Sequence, residues 1–130
     1  MPKSCTDTDN RPLDAADLVL AREVMERLTG KWAFWILGVL GEANRPMRFA
    51  RVLSAVDGIS QKMLTRTLRQ LECDGFVSRR IFAEVPPRVE YELTDMGRNL
   101  LLQITPMFSW LISEIDAVGS ARSRFAAATA

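Results

Sequence analysis

Histidine is absent from the sequence, and only two cysteines and one tyrosine occur among its 130 residues. The missing imidazole removes the side chain that titrates nearest neutral pH, the usual general base and the commonest zinc ligand. Neither Cys5 nor Cys73 has a second cysteine at metal-ligand spacing, so no metal site is expected, and two thiols make no disulfide framework. Charge of a single sign is also lacking. With 17 basic against 16 acidic residues the net charge is +1, which excludes a chain drawn to polyanions by bulk charge alone. Nowhere do about 18 apolar residues run uninterrupted, as a membrane-spanning helix requires. The polar stretch Met1 to Pro12 has none of the apolar centre of a secretory signal. A soluble, cytoplasmic protein without a cofactor and without enzymatic activity is expected.

What is present suits one compact core. At 48% hydrophobic content the chain is long enough for a single domain and too short for two ordinary ones. A loose arm is expected over residues 1–12, a folded domain over 13–118 and a frayed tail over 119–130. Leu18, Ala21, Val24, Met25 and Leu28 recur at helical spacing, with Asp14 to cap the start and Gly30 to stop it. Lys31 to Glu42 is apolar on nearly every side and is predicted to be a buried central helix. A short strand over Met47 to Phe49 precedes a helix from Ala50 to Val56. Asp57-Gly58 then turns the chain, and Ser60 caps a helix that runs to about Cys73, where Gly75 ends it. Phe76 to Phe82 and Arg88 to Leu93 flank Pro86-Pro87 and read as a β-hairpin. Thr94 caps a last helix, Asp95 to about Val118, interrupted by Pro106, which is expected to kink it or adjust its hydrogen bonding there. Two helices joined by a glycine turn and followed by a hairpin make a winged helix-turn-helix. The fold class is thus α+β, mainly helical, with a hairpin wing and terminal helices available for dimerisation.

Between Ser60 and Cys73, Leu64, Leu68 and Leu71 form one stripe that must face the core. Lys62, Thr65, Arg66 and Arg69 then line one exposed ridge, with Gln61 beside it and no acid among them. Arginine can donate two parallel hydrogen bonds to guanine, glutamine can pair with adenine, and a threonine methyl can touch thymine. The basic surplus lies in the same region. Residues 45–98 hold ten Lys/Arg against seven Asp/Glu, whereas residues 1–44 hold five against seven. In the wing, Arg79, Arg80 and Arg88 stand around a stiff Pro86-Pro87 corner together with Glu84, and strand alternation leaves open which arginines share a face. Arg48 and Arg51 are further candidates for phosphate contact. For any one arginine, pairing with Glu90, Glu92 or Asp95 is the competing reading.

These residues resemble the HxlR-type branch of the bacterial MarR-like winged-helix regulators. Gly30-Lys31-Trp32 with Ile36-Leu37 and Leu40, Arg48-Phe49, Gly58-Ile59-Ser60 with the three leucines, and Asp74-Gly75 with Arg79 carry the resemblance. The run Glu84 to Thr94, with Gly97 and Trp110, completes it, so it covers roughly Leu18 to Trp110. The resemblance implies a homodimer built from the terminal helices that sets two recognition helices on a pseudo-palindromic operator in double-stranded DNA; a repressor is expected, with activation the other sign left open. Arg48, Ser60, Gln61, Lys62, Thr65, Arg66, Arg69 and Arg88 are the expected DNA contacts. Leu18, Leu101, Ile104, Phe108, Leu111 and Ile115 are the expected dimer contacts, the last five at near-heptad spacing. Trp32, Trp35, Phe108 and Trp110 are candidates to line a pocket for a small-molecule effector, although core packing accounts for them more simply. Many relatives carry a sensing cysteine near the start of the first helix. That position falls near Leu18 here, Cys5 lies upstream in the arm, and Cys73 beside Glu72 and Asp74 reads as a small structural residue. The alternatives are a winged-helix protein-interaction module that does not bind DNA, and an enzyme or redox protein acting through Cys5.

Overall fold

The computed structural model describes residues 12–129. All of the expected arm except Pro12 therefore lies outside the described residues, Cys5 with it. Helix α1, Ala15–Leu28, opens on a capping box in which the Asp14 carboxylate accepts the Asp17 N–H at 2.9 Å and Asp17 reciprocates at 3.1 Å. Helix α2, Ala33–Ala43, supplies Ala33, Ile36, Leu37 and Leu40 to the core. It is central, as its composition predicts, yet Trp35 is left exposed.

Strand β1, Met47–Arg48, leads directly into α3, Phe49–Ala55, one residue earlier than the sequence suggested. Helix α4, Gln61–Cys73, follows the turn, and strands β2, Val77–Phe82, and β3, Arg88–Leu93, follow α4. The three strands form one antiparallel sheet in the order β1-β3-β2, with Val77 opposite Leu93 at the buried base and Phe82 opposite Arg88 at the tip. The side-chain period of two settles the faces of the hairpin. Arg80, Phe82, Arg88 and Glu90 share one face, while Val77, Arg79, Tyr91 and Leu93 share the other.

Thr94 joins the sheet to α5, Asp95–Ser113, its hydroxyl accepting the Gly97 N–H at 3.0 Å and donating to the Gly75 carbonyl at 2.6 Å. Gly97 is required by contact, because a Cβ there would overlap the Phe76 carbonyl oxygen. Helix α5 runs antiparallel along α2: Leu101 lies against Gly41 near the end of α2, and Phe108 against Phe34 and Trp35 near its start. Two expectations at this end are corrected. Helix α5 continues through Pro106, and the interruption falls at Glu114 (φ −101°, ψ 7°). Beyond it the chain is helical again as α6, Ile115–Thr129, so most of the expected frayed tail is regular structure. The alanines at 117, 121 and 126–128 explain this, since alanine is the best helix former.

Candidate nucleic-acid interface

The presentation of α4 begins in the turn before it. Gly58 holds φ +81°, while Val56 and Ile59 on either side are buried and pin the turn to the core. The Ser60 hydroxyl accepts the Met63 N–H at 3.1 Å, which satisfies an otherwise orphan donor at the start of α4. Leu64, Leu68 and Leu71 are each no more than 2% exposed, so the leucine stripe is the anchored face. Thr67 joins them, its hydroxyl donating to the Met63 carbonyl at 2.9 Å. The opposite face holds Gln61, Lys62, Arg66 and Arg69, all exposed. Among the described residues, no carboxylate pairs with Lys62, Arg66 or Arg69, whereas Arg27, Arg79, Arg88 and Arg98 are each tied to one. Thr65 is half-buried and donates its hydroxyl to the Gln61 carbonyl at 2.9 Å, so its methyl and oxygen lone pairs remain for recognition.

The wing is built differently. Arg88 reaches Glu84 at 3.3 Å and Glu90 at 3.5 Å, and its guanidinium stacks 4.1 Å from the centre of the Phe82 ring. Arg88, one of the expected DNA contacts, is held within its own hairpin by these groups, because the strand register sets Phe82 opposite it and Glu90 two residues along the same face. Arg80 stands over the other side of this cluster, 5.2 Å from the Phe82 ring. On the other face Arg79 pairs with Glu72 of α4 at 3.2 Å, and burial raises the nearby Tyr91 phenol above its ordinary value, with Arg79 opposing the shift. Arg48, exposed at the start of α3, and Arg88 sit on the two sides of a depression of about 350 Å³ that Val85, Pro86 and Pro87 complete.

The family model for the HxlR-like helix-turn-helix matches residues 27–118. The chain belongs to that family. The HTH-type transcriptional regulator YtfH of Escherichia coli (strain K12) is 35% identical to it over 107 residues, spanning 82% of this chain and 83% of that one. Among solved structures, the ytfH regulator from Salmonella typhimurium superposes with a TM-score of 0.71 at 33% identity, covering 79% of this chain and 90% of that one. The reduced form of the redox regulator HypR gives a TM-score of 0.68 at 34% identity, covering 78% and 98%. This HxlR-like chain is a winged helix-turn-helix transcriptional regulator related to the MarR group, and among its described residues no helix is long and apolar enough to cross a membrane.

The expected dimer contacts of the HxlR-like chain divide into two groups. Leu101 and Ile104 pack on the core of their own protomer and Phe108 stacks on Phe34 and Trp35, whereas Leu18, Leu111 and Ile115 are exposed. The same heptad stripe turns from covered to bare because α5 extends past the start of α2 beyond Phe108. Sequence spacing shows the stripe but not where its neighbour ends. The uncovered apolar surface also includes Val19, Leu20 and Met25 on α1 and Trp110, Ile112 and Phe125 on α5 and α6. An excess of apolar residues over what one buried stripe needs was the available signal on α5. Phe125 was missed with the tail.

Of the four aromatic residues expected at a ligand pocket, Trp32 and Trp35 line one depression of about 290 Å³ with Ala55, Val56 and Asp57. Trp35 meets Phe108 edge-on at 5.4 Å, Trp32 lies on the α3 side beneath Lys31, and Trp110 is exposed. Cys73 is exposed rather than a packed structural residue, for it is the last residue of α4, off the leucine stripe. Beside it Arg27 reaches Asp74 at 2.8 Å, and that hydrogen bond and charge raise the guanidinium above its usual value.

Proposed function

We propose that this chain represses transcription as a homodimer that reads a pseudo-palindromic operator with α4 of each protomer, in the cytoplasm where the DNA lies. The observation carrying the reading is the unpaired cationic ridge of Lys62, Arg66 and Arg69 on a helix whose opposite face is locked into the core. Ion-paired arginines would have to surrender a partner before meeting DNA, and these do not. Gln61, Lys62, Thr65, Arg66 and Arg69 enter the major groove, Ser60 shapes the entry of α4, and Arg48 contacts a phosphate. Arg88 keeps the wing rigid, so that it meets the backbone as a formed corner. The bare faces of α1, α5 and α6 supply the second requirement, a surface for a twin subunit that sets the two α4 helices about 34 Å apart, one turn of duplex.

Selecting bound duplexes from a random pool tests the proposal. A recovered palindrome with half-sites one helical turn apart, protected as a dimer footprint, is the expected result. Recovery of no preferred sequence, or affinity indifferent to salt, would leave the protein-interaction module as the better reading.

A further inference from the structure

A depression of about 280 Å³ lies beside the recognition helix, at the joint between α1 and α2. Arg27, Lys31 and Arg66 contribute cations to its lining, Glu26 one carboxylate, and Thr67 and Gln70 polar groups. Lys31 has no carboxylate partner among the described residues. Its ammonium stands 4.8 Å from the centre of the Trp32 ring, a cation–π contact that limits where a long flexible side chain can wander. Trp32 in turn lies beside the turn of the helix-turn-helix, where it lines a depression with Val56 and Asp57. The charge of Lys31 is therefore referenced to the turn that orients α4. Arg27 is not free in the same way, being bound to Asp74.

We infer that Lys31 is a phosphate-contacting residue, which holds one backbone phosphate of the DNA beside Arg66 when α4 enters the groove. This rests on the DNA-binding reading above and adds a specific backbone anchor to it. A ligand in this depression must be anionic, because two unpaired cations from different elements line it against one carboxylate. A phosphodiester and a free phosphate share that chemistry. The duplex is favoured because Arg66 belongs to the same ridge as Lys62 and Arg69, so whatever lies along the ridge passes the mouth of the depression. Glu26 then works against binding.

The test uses the full chain and a duplex selected from random sequence by the wild type, with affinities measured by anisotropy over a range of KCl. Lys31→Met keeps the aliphatic stem over Trp32 and removes the charge. It is expected to weaken selected and scrambled duplexes by the same factor and to lower the salt slope by about 0.9. The deficit relative to wild type then shrinks about 3.5-fold for each fourfold rise in salt, the arithmetic of one lost contact. Glu26→Gln should tighten both duplexes. An unchanged salt slope in Lys31→Met with wild-type response in Glu26→Gln would overturn the assignment while leaving operator binding intact. Wild-type protein that retains no duplex would instead overturn the underlying reading. Inorganic phosphate that protects the wild type but not Lys31→Met from thermal unfolding, with no change in salt slope, would reassign the site to a free anion. Should Lys31→Met fail to fold, Lys31→Arg, expected to keep the slope, and Glu26→Gln carry the test.

Discussion

The separation of the two faces of α4 can be tested by truncating one residue from each. Leu68 is 1% exposed and belongs to the central cluster with Leu64, Leu71, Ile36 and Leu37. Leu68→Ala removes buried methyl and methylene groups and leaves a cavity that such a core fills only partly, a loss of about 3 to 5 kcal/mol. Domains of this size are stable by about 5 to 15 kcal/mol, so this is a large share of the total. At about 3 to 6 °C per kcal/mol, Tm should fall by about 9 to 30 °C. Arg66 is only two residues away in sequence but stands on the exposed face of the same helix. It is exposed and unpaired, so Arg66→Ala should change stability by no more than about 0.5 kcal/mol. If it reads a guanine, however, operator affinity should fall by about 1 to 3 kcal/mol, roughly 5- to 150-fold. Circular dichroism melts at one fixed protomer concentration, which holds constant the mass-action contribution of the proposed dimer, and salt-matched gel shifts supply the two readouts. Equal destabilisation by both variants, or an Arg66→Ala that binds like wild type, would refute the division of α4 into an anchored and a presented face.

Other expectations follow from single contacts. Gly97→Ala drives a methyl into the Phe76 carbonyl, which also accepts the Thr94 N–H at 3.1 Å, so about 1 to 3 kcal/mol of stability should be lost in urea unfolding. Trp110→Asp places a charge on the bare face of α5 and should shift sedimentation from dimer to monomer without loss of helix content; a variant as dimeric as the wild type would move the interface elsewhere. Tyr91 is the only tyrosine, so phenolate absorbance reports it alone, and its midpoint should lie above 10.0 in the folded protein. Because burial raises the folded pKa, the contribution of Tyr91 to stability is complete below the unfolded value of about 10 and declines as pH rises through the folded one.

Most of the fold was legible because its signals are local. Asp14, Ser60 and Thr94 mark helix starts through hydrogen bonds to residues three positions on, so their identity nearly suffices. The leucine stripe of α4 and the alternation of the hairpin are periodicities of the chain itself. The site was legible to the same extent: the ridge from Gln61 to Arg69 followed from the stripe opposite it. The fate of Arg88 was not, since it depends on which wing residues the register sets beside it.

The amino-acid order alone determined the capped starts of α1, α4 and α5, which face of α4 is apolar and that a cationic ridge must oppose it, because each depends on residues within a turn or two of one another. Only the folded arrangement decided which charges stay unpaired, where the α5 stripe loses its cover, and that Lys31 and Arg66 meet at one depression. Those outcomes depend on distances between elements far apart in the chain, and neither composition nor periodicity carries that information.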